Sequence, residues 1–86
     1  MKNNQRNQDS LPYRTSDLAL CAALYVNGYL IEAIDREDPS RVVFYFPRNE
    51  YLDDVVRLFL THQLKVDPLA YFNALREIKT RIRNDL

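Results

Sequence analysis

The 86-residue sequence has one cysteine, one histidine and one glycine, and it has no tryptophan. The single Cys21 cannot close an internal disulfide, and together with the single His62 it cannot supply the ligands of a zinc site. With Gly28 as the only glycine, the chain cannot form a glycine-rich loop that binds nucleotide phosphates. These absences exclude disulfide scaffolds, zinc modules and nucleotide hydrolysis through such a loop.

Long apolar runs are also absent. The longest, residues 18–26, has nine residues, whereas a helix needs about 20 to cross a bilayer. Residues 1–10 are polar where a signal peptide would be apolar, and a lone thiol suits a reducing compartment. We therefore expect a cytoplasmic protein without a membrane partner.

Net charge is absent as well, because twelve basic side chains balance twelve acidic ones. This balance argues against a general electrostatic attraction to nucleic acid. The charges are nevertheless unevenly spread: residues 1–16 sum to +2, residues 17–38 to −4 and residues 68–86 to +2. The ends are basic and the middle is acidic, which bears on the choice of partner and not on the fold.

The composition predicts one small folded domain. Apolar residues make up 47% of the sequence and charged residues 28%, which is ordinary for globular proteins and unlike disordered chains. A chain of this length hides only roughly 60–65% of its unfolded surface, so a partner would add to its stability. The Asn- and Gln-rich residues 1–12 are predicted as a flexible polar tail, and residues 13–86 as the domain.

Local patterns predict three helices and two strands. Each helix has a capping residue at its start, and the first also has a glycine at its end. These residues are Thr15 or Ser16, Asn49 and Asp67, with Gly28 after the first helix. Branched and aromatic residues predict strands over 29–35 and 41–46, joined by a turn. The predicted fold is α+β: a two-stranded antiparallel hairpin packed with three helices, in the order helix-strand-strand-helix-helix.

Groups that could carry catalysis are scarce. Nucleophilic catalysis would have to pair Cys21 with His62, but Cys21 lies in the most apolar helix, where a thiol stays protonated and inert. His62 lies near the end of the second helix, where a cation suits the helix dipole. Asp53 and Asp54 are explained by the start of the same helix. We therefore predict no catalytic, cofactor-binding or metal-binding residues, and no enzyme.

The last helix has the most suggestive surface. At 100° per residue, four side chains lie within about 60° of one another beside the apolar face. They are Phe72, Arg76, Lys79 and Arg83. Cations beside a ring are typical of nucleic-acid binders, and Arg41 and Arg48 would extend the surface if the fold brings them near. The alternatives are docking of an acidic protein and a solvated helix end whose cations suit the dipole.

The second predicted strand has two apolar faces. Val42, Phe44 and Phe46 share one face, and Val43 and Tyr45 share the other. One face is expected to pack on the helices. The second face is then either covered or available to a partner, which makes Val43 and Tyr45 candidate contact residues.

Three segments together resemble a known group of sequences. Residues 13–17 have the pattern Tyr-x-Thr-x-Asp, residues 41–46 form the predicted strand, and residues 66–76 read Val-Asp-Pro-x-x-Tyr-Phe-Asn-Ala-Leu-Arg. Over residues 13–82, this pattern is similar to a family of short uncharacterised domains from bacteria and phages. The resemblance implies a phage or mobile-element setting, in the cytoplasm of a bacterium or phage-infected cell. It assigns no catalytic residue.

We therefore expect a non-catalytic protein-interaction module, an accessory or regulatory subunit that uses no cofactor. Its partner would be another protein or a second copy of itself, bound through the outer hairpin face or the last helix. The alternative is a small DNA- or RNA-binding protein that uses the basic stripe on the last helix. No small-molecule substrate is evident from the sequence.

Overall fold

Residues 11–84, which are the residues that the computed structural model describes, form three strands and three helices. Most of the predicted polar tail, residues 1–10, lies outside this range. In chain order the elements are β1 (Tyr13–Thr15), α1 (Leu18–Val26), β2 (Ala33–Asp35), β3 (Val43–Phe46), α2 (Glu50–Leu60) and α3 (Pro68–Asn84). The α+β class and the three helices are confirmed.

The sheet differs from the predicted hairpin because it has a third strand. Its order is β1-β3-β2, and both neighbours pair antiparallel with the central β3. Tyr13 lies opposite Phe46, which adds an aromatic pair to the sheet. The prediction of two strands was wrong because β1 has only three residues, too few to show an alternating pattern. β1 is therefore defined by its pairing with distant residues.

The other strands are shorter than predicted, and the first helix begins later. β2 covers Ala33–Asp35 instead of residues 29–35, and β3 begins at Val43. The cap of α1 is Asp17, whose Oδ1 accepts from the backbone N–H of Ala19 at 2.9 Å. Thr15 cannot cap the helix because it pairs in β1, where its hydroxyl accepts from the N–H of Asp17.

The predicted ends of the helices are otherwise confirmed. Gly28 has φ +95°, a left-handed conformation that glycine adopts at little cost, and it terminates α1. Asn49 Oδ1 accepts from the N–H of Leu52 at 2.8 Å, and Asp67 Oδ2 accepts from the N–H of Ala70 at 2.8 Å. These side chains satisfy backbone donors that a helix start leaves unpaired.

α1 lies at the centre of the core. Its residues 20–24 are all buried, and the helix packs against both α2 and α3. The small side chains of Ala22 and Ala23 suit this central position, as the sequence predicted. The other buried side chains of the same cluster come from β3 (Phe44, Phe46), α2 (Leu52) and α3 (Ala74, Ile78), with Ile31 from the loop before β2. The helices therefore cover one face of the sheet and leave the other uncovered.

No helix formed by residues 11–84 is both long and apolar enough to cross a membrane.

Candidate functional site

The outward side of α3 presents the side chains that the sequence singled out. Phe72, Arg76, Lys79 and Arg83 are all exposed, and we call these four residues the α3 stripe. They follow one another at helical spacings of four, three and four residues, which aligns them on one side of the helix. The opposite side of α3 carries the buried Ala74 and Ile78.

Two members of the α3 stripe contact each other. The guanidinium carbon of Arg76 lies 5.7 Å from the centroid of the Phe72 ring, a cation–π geometry. The Phe72 side chain is nevertheless 54% exposed. The contact holds a cation and an aromatic ring together at the surface, where both remain available to a partner.

The cations of the α3 stripe have no acidic partner within residues 11–84. Neither Arg76, Lys79 nor Arg83 has a carboxylate of that segment within ion-pair distance. On α2, by contrast, Arg57 pairs with Asp54 at 3.6 Å. The positive charge of α3 is thus available for an acidic group supplied by another molecule.

An apolar residue extends the α3 stripe and was missed by the sequence analysis. Leu69 lies three residues before Phe72, on the same side of α3, and it is 67% exposed. The i, i+3 spacing from Phe72 is visible in the sequence, but the pattern was examined for cations and not for apolar neighbours. With Leu69, the surface is apolar at its N-terminal end and basic at its C-terminal end.

The structure places Arg41 and Arg48 in other surroundings. Arg48 lies 5.4 Å from the ring centroid of Tyr13, and its Nε is 3.2 Å from Asp53 Oδ1. Arg41 donates from Nε to the hydroxyl of Ser16 at 3.1 Å. The described cation that does reach α3 is Arg36, which donates to the carbonyl of Ile82. The sequence could not reveal these neighbours, because they depend on contacts between distant segments.

The uncovered face of the sheet contains Val43 and Tyr45, as predicted. Tyr45 lies between Arg14 of β1 and Ala33 of β2, and Val43 lies opposite Asp35. Side chains opposite each other across a sheet point to the same side, so these residues share one surface. They border a depression of about 410 Å³ together with Arg41 and two acids, Glu37 and Asp38. We call this surface the sheet face.

The two groups considered for catalysis are separated by their surroundings. Cys21 is fully buried, and burial raises the pKa of its thiol to about 12, which keeps the sulfur protonated. His62 is exposed just beyond α2, where its φ of 62° reverses the chain. It borders an apolar crevice of about 270 Å³ with Phe59 and Tyr71. Within residues 11–84, no three His, Cys, Asp or Glu side chains are grouped to hold a metal ion.

Several tyrosines connect the elements of the fold. The Tyr25 hydroxyl of α1 donates to Glu77 of α3 at 2.6 Å, and this hydrogen bond raises the pKa of Tyr25. The Tyr71 hydroxyl of α3 donates in return to the carbonyl of Ala19 at 3.2 Å. These two tyrosines thus connect α1 and α3, whereas Tyr45 lies on the sheet face.

These features define a small α+β domain with two distinctive exterior surfaces, the α3 stripe and the sheet face. The chain belongs to the DUF5659 family, a domain of unknown function, whose sequence model matches residues 11–84. The match agrees with the resemblance to an uncharacterised family. No curated protein and no solved structure matches the chain significantly.

Proposed function

We propose that this domain is a non-catalytic protein-interaction module, an accessory or regulatory subunit that binds a partner protein through the α3 stripe and Leu69. The observation that carries the proposal is the continuity of exposed apolar groups with cations that lack an acid. A partner with acidic side chains beside an apolar contact would complement both parts of this surface. Apolar burial would supply affinity, and the charges would fix the orientation.

The packing of α3 supports this assignment. Ala74 and Ile78 bury the inner side of the helix, so the fold does not require apolar side chains on the outer side. Single exposed apolar residues are common on protein surfaces, but Leu69 and Phe72 lie one turn apart and next to Arg76. Their grouping is what favours an interface over a solvated helix.

We further propose a cytoplasmic setting, in a bacterial phage or mobile-element system. The buried thiol of Cys21 in a chain with no second cysteine suits a reducing compartment. The resemblance of residues 13–17 and 66–76 to bacterial and phage domains supports the setting.

Site-specific photocrosslinking in cells that produce the protein tests the proposal. A photoreactive amino acid at position 72 should give one protein adduct of defined mass. The same group at position 51, where Tyr51 is 71% exposed on α2, should not give that adduct. The double substitution Arg76→Glu/Lys79→Glu should remove the adduct, because it reverses the charges that orient the partner.

A matched control separates this effect from net charge. The pair Arg57→Glu/Lys65→Glu makes the same change of charge at exposed positions outside the α3 stripe, so it should preserve the adduct. Equal loss in both double variants, or identical adducts from positions 51 and 72, contradicts the proposal.

A second candidate function is binding of single-stranded DNA or RNA, and the Arg76–Phe72 contact is the observation that favours it. An exposed ring beside a cation can stack on a base while neighbouring cations contact phosphates. Fluorescence anisotropy with 20-nucleotide DNA and RNA should then show affinity that falls steeply with salt. Replacing Arg76 and Lys79 by alanine should flatten the log–log slope by about 0.7 for each lost phosphate contact. No binding at low salt rejects this candidate.

A further inference from the structure

The sheet face has opposite charges on its two sides. Arg14 lies on the β1 side, next to Tyr45, and the hydrogen bond from Arg41 to Ser16 holds a second cation toward the same side. Asp35 lies on the β2 side, and the following turn adds Glu37 and Asp38. The strip between them is β3, which supplies Val43 and Tyr45.

The acids of the turn are held in place as anions. Asp38 accepts hydrogen bonds from the backbone N–H and the hydroxyl of Ser40, and these bonds lower the pKa of its carboxyl. Asp35 Oδ1 accepts from the N–H of Glu37 at 2.9 Å. The acidic side of the sheet face is therefore ordered by local hydrogen bonds, as the basic side is ordered by Ser16.

A surface with this arrangement complements a second copy of itself. A two-fold axis that runs along β3, in the plane between two facing sheets, places the β1 side of one copy over the β2 side of the other. The cations of each copy then face the acids of the other, twice over. A two-fold axis across the strands would instead place β1 over β1 and oppose like charges. Charge complementarity thus selects one of the two rotations.

We infer that the sheet face is the contact surface of a symmetric homodimer whose two-fold axis runs parallel to β3. Tyr45 of each copy lies against Tyr45 of the other, and the two sheets pack face to face with nearly aligned strands. This use of the sheet face is independent of the proposed function, which rests on α3.

The size of the sheet face sets the expected strength. Three strands of three or four residues give a face of about 10 Å by 13 Å, apart from its charged rim. This is well below the roughly 800 Å² that each partner contributes to a standard interface. We therefore expect dissociation in the range of about 0.1 mM, with a clear dependence on salt.

Sedimentation equilibrium of the full chain between about 10 μM and 1 mM provides the first test. The average mass should rise from the 10.2 kDa of the single chain toward twice that value. The variants Arg14→Glu/Arg41→Glu and Asp35→Lys/Glu37→Lys should each weaken association at least tenfold. Their equimolar mixture should associate again, because an all-acidic face then meets an all-basic one. Circular dichroism melts verify that both variants fold.

Disulfide trapping provides a test that does not depend on charge. In the variant Tyr45→Cys, oxidation should link two copies, since the native Cys21 is buried and stays unreactive. The control Tyr51→Cys, on exposed α2, should remain a single chain. The variant Arg76→Glu/Lys79→Glu should associate like the wild type, which separates this result from any failure of the proposed function.

Three outcomes would overturn the inference. The first is a wild-type mass of 10.2 kDa up to 1 mM, which would leave the sheet face to a different occupant. The second is association that neither double variant weakens. The third is a mixture of the two variants that stays monomeric.

Discussion

α1 and α3 pack against each other, yet they contribute different properties to the molecule. In α1, five consecutive residues are buried and the helix is covered from several directions. In α3, Ala74 and Ile78 are buried, whereas the outward side is fully exposed and carries unpaired cations. The comparison teaches that stability and surface chemistry are assigned to different helices. Substitutions should therefore be able to change one property without the other.

The largest expected effect breaks the core at α1. Leu24→Ala removes a fully buried side chain and leaves a cavity, so the free energy of unfolding should fall by about 3 kcal/mol. Urea denaturation followed by circular dichroism measures this change. Leu69→Ala, at an exposed position of α3, is the matched control and should change stability by less than about 0.5 kcal/mol. Equal losses would show that α3 contributes to the core from both sides.

A second prediction concerns the pH dependence of stability. The buried thiol of Cys21 ionises near pH 12 in the folded protein, against an ordinary value of 9.0. Between these values unfolding releases a proton, so the free energy of unfolding should fall by about 1.4 kcal/mol for each pH unit above 9. Below pH 9 the thiol makes no pH-dependent contribution. Urea titrations from pH 8 to 10.5 measure the slope.

The variant Cys21→Ala isolates the part of this slope that belongs to the thiol, because tyrosines and lysines titrate in the same range. Its stability should fall less steeply above pH 9 than that of the wild type. Identical slopes would mean that the thiol is accessible to solvent in the folded state.

A third prediction tests the hydrogen bonds between the two helices. Tyr25→Phe removes the bond to Glu77, and Tyr71→Phe removes the bond to the carbonyl of Ala19. Each change should cost about 0.5–1 kcal/mol in denaturant unfolding. Tyr51→Phe, on exposed α2, should cost almost nothing. A double variant that loses much more than the sum would show that the two bonds act together.

The smallest expected effect on stability comes from the α3 stripe. Arg76→Glu/Lys79→Glu should lower the melting free energy by less than about 1 kcal/mol, because both side chains are exposed and lose only favourable contact with the helix dipole. Thermal unfolding at low and high salt measures it, and the difference should shrink as salt is added. A large loss would place these cations among the groups that hold the fold together.

The sequence predicted those features that depend on near neighbours. Asn49, Asp67 and Gly28 mark helix ends through contacts within a few residues, and all three act as predicted. β1 was missed because it exists through pairing with Phe46, more than 30 residues away. The same reason explains the candidate surfaces: the alignment of Phe72 with Arg76 follows from helix geometry alone.

The surroundings of Arg41 depend instead on distant segments that no local pattern reveals. Its contact with Ser16 joins the connection before β3 to the residue after β1. The opposite charges on the two sides of the sheet face were invisible for the same reason, since Arg14 and Asp35 become neighbours of β3 only through the sheet order.

The short outer strands have a consequence for how the protein behaves in concentrated solution. β1 and β2 each offer only three residues of backbone along an open sheet edge, and each contains a charged side chain, Arg14 or Asp35. Edges of this length are poor templates for the addition of further strands, and charge discourages stacking into fibrils. The solution should therefore stay clear and free of thioflavin-positive material even at millimolar concentration.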